Sequence, residues 1–245
     1  IEMKGFGTEK VEDTLAEIFP QAAIARMDLD TTRSKNAYQQ IITDFEQHKT
    51  DILVGTQMVT KGLDFDRVSV VGILNADSLI SFPDFRAFER AYQLLAQVSG
   101  RAGRKEVPGK VIIQTFQPNH PALQYVETND FAAMYASQIA ERQEFHFPPI
   151  TRLIKITLKN PDEKMVTDAA NVLAQPLREH FPGRVLGPES PLVSRIQNYF
   201  LKDFWLKLSK DAHLEEQKAL LQQIIHDFQQ NRAFRTVRIV INVDA

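Results

Sequence analysis

The chain has 245 residues, 43% of them hydrophobic and 24% charged, which is enough to bury one or two cores and is ordinary for a globular protein in water. Its 29 basic and 31 acidic side chains leave a formal net charge of −2, so a polyanion must be met by a local patch rather than by a globally basic surface. The absence of cysteine excludes disulfides and thiolate metal sites, and no apolar stretch is long enough to cross a bilayer, so a cytoplasmic protein without membrane association is expected.

In chain order, Ile1-Glu-Met-Lys4 offers only a strand stub, with no initiating methionine and no signal-peptide pattern, and reads as part of a longer chain. Gly5-Phe-Gly-Thr-Glu9 follows. Thr8 is placed to cap a helix whose apolar stripe is Val11, Leu15 and Ile18, with Glu9 complementing the positive end of its dipole. Glycine before a helix start also suits a phosphate, of a nucleotide or of nucleic acid, which makes Gly7 and Thr8 candidate contacts; an ordinary capped turn is the plainer reading. Residues 22–27 read as a short buried strand, 28–32 as the loop at its carboxyl end, and Tyr38, Ile41, Ile42 and Phe45 as the inner face of a second helix.

At Ile52-Leu-Val54 the pattern becomes a continuous apolar run, as expected of a parallel strand buried on both faces, stopping at Gly55-Thr56. A loop containing Lys61, Gly62 and Asp64 leads to another buried strand over 68–74, which ends at Asn75-Ala-Asp77. Phe85, Phe88, Tyr92 and Leu95 recur at helical spacing, predicting a helix over 83–98. That helix runs into Gln97-Val-Ser-Gly-Arg-Ala-Gly-Arg104. Gly100 and Gly103 permit unusual backbone geometry there, while Arg101 and Arg104 project planar charged forks suited to phosphate oxygens. A further strand is predicted over 111–116, and the alternation of strand and helix defines an α/β unit with a mostly parallel sheet. Ligands of such sheets gather outside the carboxyl ends of the strands, where Thr56, Asp64, Asp77, Arg101 and Arg104 are expected.

A helical connector over 118–148 ends at Phe147-Pro-Pro149, which marks a boundary between domains 1–148 and 149–245. Beyond it a strand over 152–158, a helix over 162–181, a turn region over 183–187, a strand pair over 194–208, a helix through Leu214 and Phe228, and a strand over 237–243 follow. The order β-α-β-β-α-β suggests a smaller α+β, ferredoxin-like layer. Exposed aromatic and basic side chains on such a sheet suit nucleic acid, and the set is Arg195, Tyr199, Phe200, Lys202, Trp205 and Lys207, with Phe200 and Trp205 read as packing residues.

Taken together, Gly5-x-Gly-Thr-Glu9, Gly55-Thr-Gln-Met-Val-Thr-Lys-Gly-Leu-Asp-Phe65 and Gln97-x-x-Gly-Arg-Ala-Gly-Arg104 resemble the second RecA-like lobe of superfamily-two helicases. Asp77-x-Leu-x-x-Phe-Pro-Asp-Phe-Arg86 narrows the likeness to the primosomal replication-restart helicases, and the second domain resembles their carboxyl-terminal domain, related to a small-subunit ribosomal protein. The resemblance implies an ATP-dependent 3′ to 5′ DNA helicase acting at stalled or branched forks. Its ATP and magnesium would be gripped by a first helicase lobe and completed by this one. Arg104, with Arg101, would reach the terminal phosphate and Gln97 would help orient it; Gly62 and Asp64 would lie near the ribose or the lobe interface, Asp64 being equally readable as a loop cap. Thr56 and Lys61 become candidates for a DNA phosphate, and Arg195 and Lys202 for forked, single-stranded or duplex DNA, or for single-stranded DNA-binding protein and other primosome partners.

The phosphate-binding Gly-x-x-x-x-Gly-Lys-Ser/Thr signature and its acidic box are missing from this sequence, so the chain alone is expected not to hydrolyse ATP. Zinc, expected from the cysteine-rich segment of the family, has no cysteines here to hold it. Two other readings stand beside the motor: a non-catalytic nucleic-acid-binding adaptor with a degenerate lobe, and a recombination or RNA helicase of the same superfamily. Two arginines at a nucleotide face favour the motor, because an adaptor has no electrostatic use for them.

Overall fold

The computed structural model describes residues 7–59, 68–100 and 109–244. Its chain divides between Met134 and Tyr135 into two compact units.

The first unit alternates helix and strand: α1 (Thr8–Ile18), β1 (Ile24–Met27), α2 (Lys35–Glu46), β2 (Ile52–Gly55), a 3-10 turn (Gln57–Val59), β3 (Val70–Ile73), α3 (Asp77–Ile80), α4 (Ala87–Ser99), β4 (Lys110–Ile113), α5 (Pro121–Glu127) and the start of α6 (Phe131–Glu144). Strand β1 pairs in parallel with β2, Ile24 opposite Ile52, and β3 in parallel with β4, Val70 opposite Lys110. The unit is therefore α/β, with parallel pairing as its sequence alternation predicts.

Helix α2 turns Tyr38, Ile41, Ile42 and Phe45 onto Met27 and Leu53, which are the inward positions expected of it. A second cluster joins Ala76 and Ile80 to Ala91 and Leu95 of α4 and Leu123 of α5. Strand β3 departs from expectation: its residues alternate between exposed and half-buried, and Val70 is exposed. Helix α4 begins four residues later than predicted because Asp84 organises its approach. The Asp84 carboxylate accepts the Arg86 N–H at 2.8 Å and pairs with Arg90 at 2.7 Å, while its carbonyl accepts the Ala87 N–H at 2.8 Å. Phe88, half-buried, packs against the rings of His120 and Tyr125 at 5.5 and 6.1 Å.

The second unit contains β5 (Thr151–Asn160), α7 (Glu163–His180), β6 (Val185–Glu189), β7 (Arg195–Ile196), β8 (Tyr199–Ser209), α8 (Leu214–Gln230), a 3-10 turn (Arg232–Phe234) and β9 (Arg238–Val243). Its antiparallel sheet has the order β6-β8-β5-β9, the strand order of the split β-α-β-β-α-β layer expected from the sequence. The segment read as a turn over 183–187 is largely strand β6. There Gly187 has φ +99°, and a Cβ would stand 2.5 Å from the Asp203 carbonyl oxygen, so the bulged strand needs a residue without a side chain.

The pleat sorts side chains between two faces. Ile154, Ile156 and Leu158 of β5 and Phe204, Leu206 and Leu208 of β8 face one way, onto Val166, Ala169, Leu173 and Leu177 of α7 and Leu221, Ile225 and Phe228 of α8. Asp162 starts α7 by accepting the Lys164 and Met165 N–H groups at 2.9 and 3.2 Å. Leu173 is completely buried in this cluster. Truncation by Leu173→Ala is expected to cost about 2–5 kcal/mol through lost transfer energy and the cavity left behind. Urea unfolding followed by the emission of Trp205, the sole tryptophan, measures it; an unchanged midpoint would contradict this packing.

Candidate functional site

The carboxyl end of β1 opens into a dense polar cluster. Asp28, nearly buried, receives the Thr8 hydroxyl on Oδ2 at 2.6 Å and the N–H groups of Asp30 and Thr31 on Oδ1, each at 3.0 Å. Arg26 lies 3.4 Å from the same carboxylate and also pairs with Glu12 at 3.3 Å and Glu9 at 3.8 Å. The Thr8 hydroxyl, foremost among these donors, holds the Asp28 pKa down at about 2 against an ordinary 3.8. This corrects the reading of Thr8 as an N-cap. Gly7 takes that position with extended backbone and no side-chain cap, while the Thr8 hydroxyl spans twenty residues to Asp28. Gly7 is exposed and has open space where a Cβ would stand.

Strand β2 ends at Gly55, where a Cβ would stand 2.1 Å from Val59 Cγ2 and 2.7 Å from the Met27 carbonyl oxygen. The glycine thus lets the chain turn tightly beside the end of β1. Thr56 is exposed, and its carbonyl accepts the Val59 N–H at 3.1 Å. At the end of β3, Asp77 is buried, not presented to a ligand: its carboxylate accepts the Thr115 hydroxyl at 2.9 Å and the Phe116 N–H at 3.0 Å. The Phe116 N–H is the largest cause holding its pKa below the ordinary carboxylate range. The residue ties the ends of β3 and β4 together.

Gln97 lies exposed on the last turn of α4 and lines a cleft of about 440 Å³ together with Arg90 and Gln93 of the same helix, Phe82 before it and Gln57 of the 3-10 turn. The fold therefore brings together Gln57 and Gln97, which belong to motif stretches forty residues apart. Gln57 was not singled out by sequence reasoning; its place in the Gly55-Thr-Gln stretch was the available signal. Lys61, Gly62, Asp64, Arg101 and Arg104 lie outside the described residues. Among the described residues no group of three or more His, Asp or Glu side chains is arranged to hold a metal ion, and no helix is long and apolar enough to cross a membrane.

In the second unit Arg195 is exposed, 3.3 Å from Asn198 Oδ1, with its guanidinium 4.9 Å from the Phe200 ring centre; Lys202 donates to the Ser190 hydroxyl at 3.0 Å. Phe200 packs against the core as expected. Trp205 does not: five residues further along the same strand, an odd step, the pleat turns it to the face opposite the helices.

The fold and these motif positions define a helicase-type domain joined to a separate α+β domain. The helicase conserved C-terminal domain family matches residues 7–106, and the primosomal protein N C-terminal domain family matches residues 143–245. The chain belongs to the PriA family of replication restart proteins, and corresponds to their C-terminal part. It is 37% identical over 242 residues to replication restart protein PriA of Bacillus subtilis, covering 98% of this chain and 29% of that protein. Identity to the Synechocystis protein of the same name is 41% over 194 residues, covering 78% and 23%, and to that of Haemophilus influenzae 34% over 249 residues, covering 98% and 32%. The chain thus spans less than a third of the length of these relatives.

Because the folded pKa of Asp28 lies below its unfolded value, ionisation favours the folded state. The gain is complete above about pH 5 and disappears as pH falls through about 2. Asp28→Asn is expected to lower stability by about 1–2 kcal/mol at neutral pH and by progressively less toward pH 2. Denaturant melts of both proteins across that range test this, and a pH-independent gap would show that the charge is not the source.

Proposed function

We propose that this chain is the second motor lobe and C-terminal domain of an ATP-dependent 3′ to 5′ DNA helicase that restarts replication at stalled or branched forks by assembling a primosome. Residues 1–148 act as the lobe, with α6 as part of its connector, and 149–245 as the C-terminal domain. ATP and magnesium are gripped by a first lobe carried elsewhere in the protein. Arg104 and Arg101 supply positive charge to the terminal phosphate, Gln97 orients it, and Gly62 and Asp64 border the ribose. Gly7, Thr8, Thr56 and Lys61 face a DNA phosphate, and Arg195 and Lys202 add DNA contacts in the C-terminal domain. Single-stranded DNA-binding protein and other primosome proteins are its protein partners.

The observation that carries the reading is the meeting of Gln57 and Gln97 on one cleft. Lys61 and Arg101 each follow their glutamine by four residues in the chain. Charge spreads over the equatorial oxygens of a transferring phosphoryl group, and a fixed guanidinium answers that charge at no reorganisation cost.

The chain alone is expected to show no ATP turnover. Adding a separately expressed first lobe, with forked DNA, is expected to produce turnover, and Arg104→Ala to lower it by about 10³-fold or more while changing DNA affinity less than about twofold. Wild-type turnover in that variant would remove the arginine from the mechanism. Restored DNA binding without any turnover would favour the adaptor reading instead.

A further inference from the structure

Helices α7 and α8 pack on one face of the sheet of the second unit, and the opposite face carries an aromatic and basic array. On β8 the outward positions are Tyr199, Leu201, Asp203, Trp205 and Lys207; on β5 they include Lys155, Thr157 and Lys159; on β9 they are Arg238, Val240 and Asn242. The register sets Lys155 beside Trp205, and Lys159 beside Arg238. Cations sit over the rings: Lys155 Nζ is 5.1 Å from the Trp205 ring centre, and Lys159 and Arg238 approach Tyr199 at 5.8 and 5.2 Å.

Two acidic groups share this face by register, Asp203 of β8 and, opposite it at the β6 edge, the exposed Glu189. Asp203 is almost wholly buried, accepting the Thr157 hydroxyl at 2.6 Å and pairing with Lys155 at 2.8 Å. Among the described residues no carboxylate pairs with Lys159 or Arg238. At the far end Lys207 is already engaged, donating to the Phe145 carbonyl at 2.6 Å beneath the Phe147 ring, so the open part of the face runs from Trp205 to Tyr199. The β9 side of the face, with Lys159 and Arg238, is therefore locally positive against a whole-chain charge of −2.

We propose that this face, opposite α7 and α8, is a platform for single-stranded DNA. Tyr199 and Trp205 stack bases, and Lys159 and Arg238 hold the backbone, while Lys155 stays paired with Asp203 beside the Trp205 ring. Four-stranded sheets of this topology offer the same face to unpaired bases in RNA-recognition modules, with aromatic side chains of the central strands as stacking surfaces. Here β8 and β5 are the central strands, one carrying the aromatics and the other two of the cations. A duplex hides its base faces and cannot stack on a ring, whereas every unpaired base can, irrespective of sequence. The proposal rests on the reading that this chain works on DNA and adds a binding surface to it, beyond Arg195 and Lys202.

Trp205 is the only tryptophan in the chain, so its emission reports directly on the platform. Titrating the 245-residue chain with a fluorescein-labelled oligothymidylate is expected to quench Trp205 emission in parallel with the rise in label anisotropy. Tyr199→Ala should weaken binding by about 5- to 150-fold, the range of one lost base stack. Lys159→Ala with Arg238→Ala should lower both affinity and the steepness of its salt dependence, with circular dichroism unchanged. A rise in anisotropy with Trp205 emission and both variants at wild-type values would overturn the platform and leave the DNA reading intact. Duplex bound more tightly than single strand, and indifferent to Tyr199→Ala, would do the same. No anisotropy change with single-stranded, duplex or forked DNA would overturn both.

Discussion

Donors converging on a nearly buried carboxylate, one at the end of each parallel strand pair, set the loop edge of the first unit. Asp28 draws in a hydroxyl from the start of α1 and two N–H groups from its own loop; Asp77 draws in a hydroxyl and an N–H from the turn after β4. An ionised carboxylate left in such a place without donors would be costly, and each donor satisfied there fixes a separate piece of chain. Asp77 thereby anchors the start of α3, and α3 packs with α4 through Ile80, Ala91 and Leu95. The position of Gln97 at the end of α4 follows from that chain of contacts.

In the second unit the equivalent constraint is the ten-residue antiparallel pairing of β5 with β8, from Thr151 opposite Ser209 to Asn160 opposite Phe200. With side chains alternating and the register fixed, a single choice of inward face determines everything else. Ile156 inward means Lys155 and Thr157 outward, and Phe204 inward means Trp205 outward. The polar face is therefore not an independent feature added to the core. It is the core's complement, fixed by the same register.

Much of this was legible in the residues. The helices announced themselves through 3.6-residue stripes, and the order of elements in the second unit was enough to anticipate its sheet. What escaped did so for identifiable reasons. Helix α5 begins with Pro121, which reads as a break, yet proline at the first helical position suits the fixed φ and lost donor, and His120 Nδ1 caps it by accepting the Ala122 N–H at 3.2 Å. The β7–β8 turn uses Gln197 and Asn198, both at positive φ, where a glycine dipeptide would have been the readable signal. Thr8 matched an N-cap by type and spacing, but Asp28 outcompeted the helix N–H groups for its hydroxyl, a partner twenty residues away that no local pattern contains. Trp205 stands an odd number of residues from Phe200, so the pleat sends it to the other face, a distinction that hydrophobicity alone does not carry. The candidate site was legible as motifs, but the meeting of Gln57 with Gln97 required the fold.

The treatment of negative charge links the two units. A protein with slightly more acidic than basic side chains has to present positive potential locally if it is to hold phosphates. Asp28, Asp77 and Asp203 are each nearly buried, and each is surrounded by hydroxyl, N–H or cationic partners of its own. Their charge is spent on organising loop ends and strand pairs and is largely compensated before it reaches solvent. Lys159 and Arg238, by contrast, rest against a neutral ring, whose face attracts a cation without cancelling its charge. Internalised carboxylates and ring-supported cations thus separate charge by environment, leaving a surface far more positive in places than the overall composition suggests.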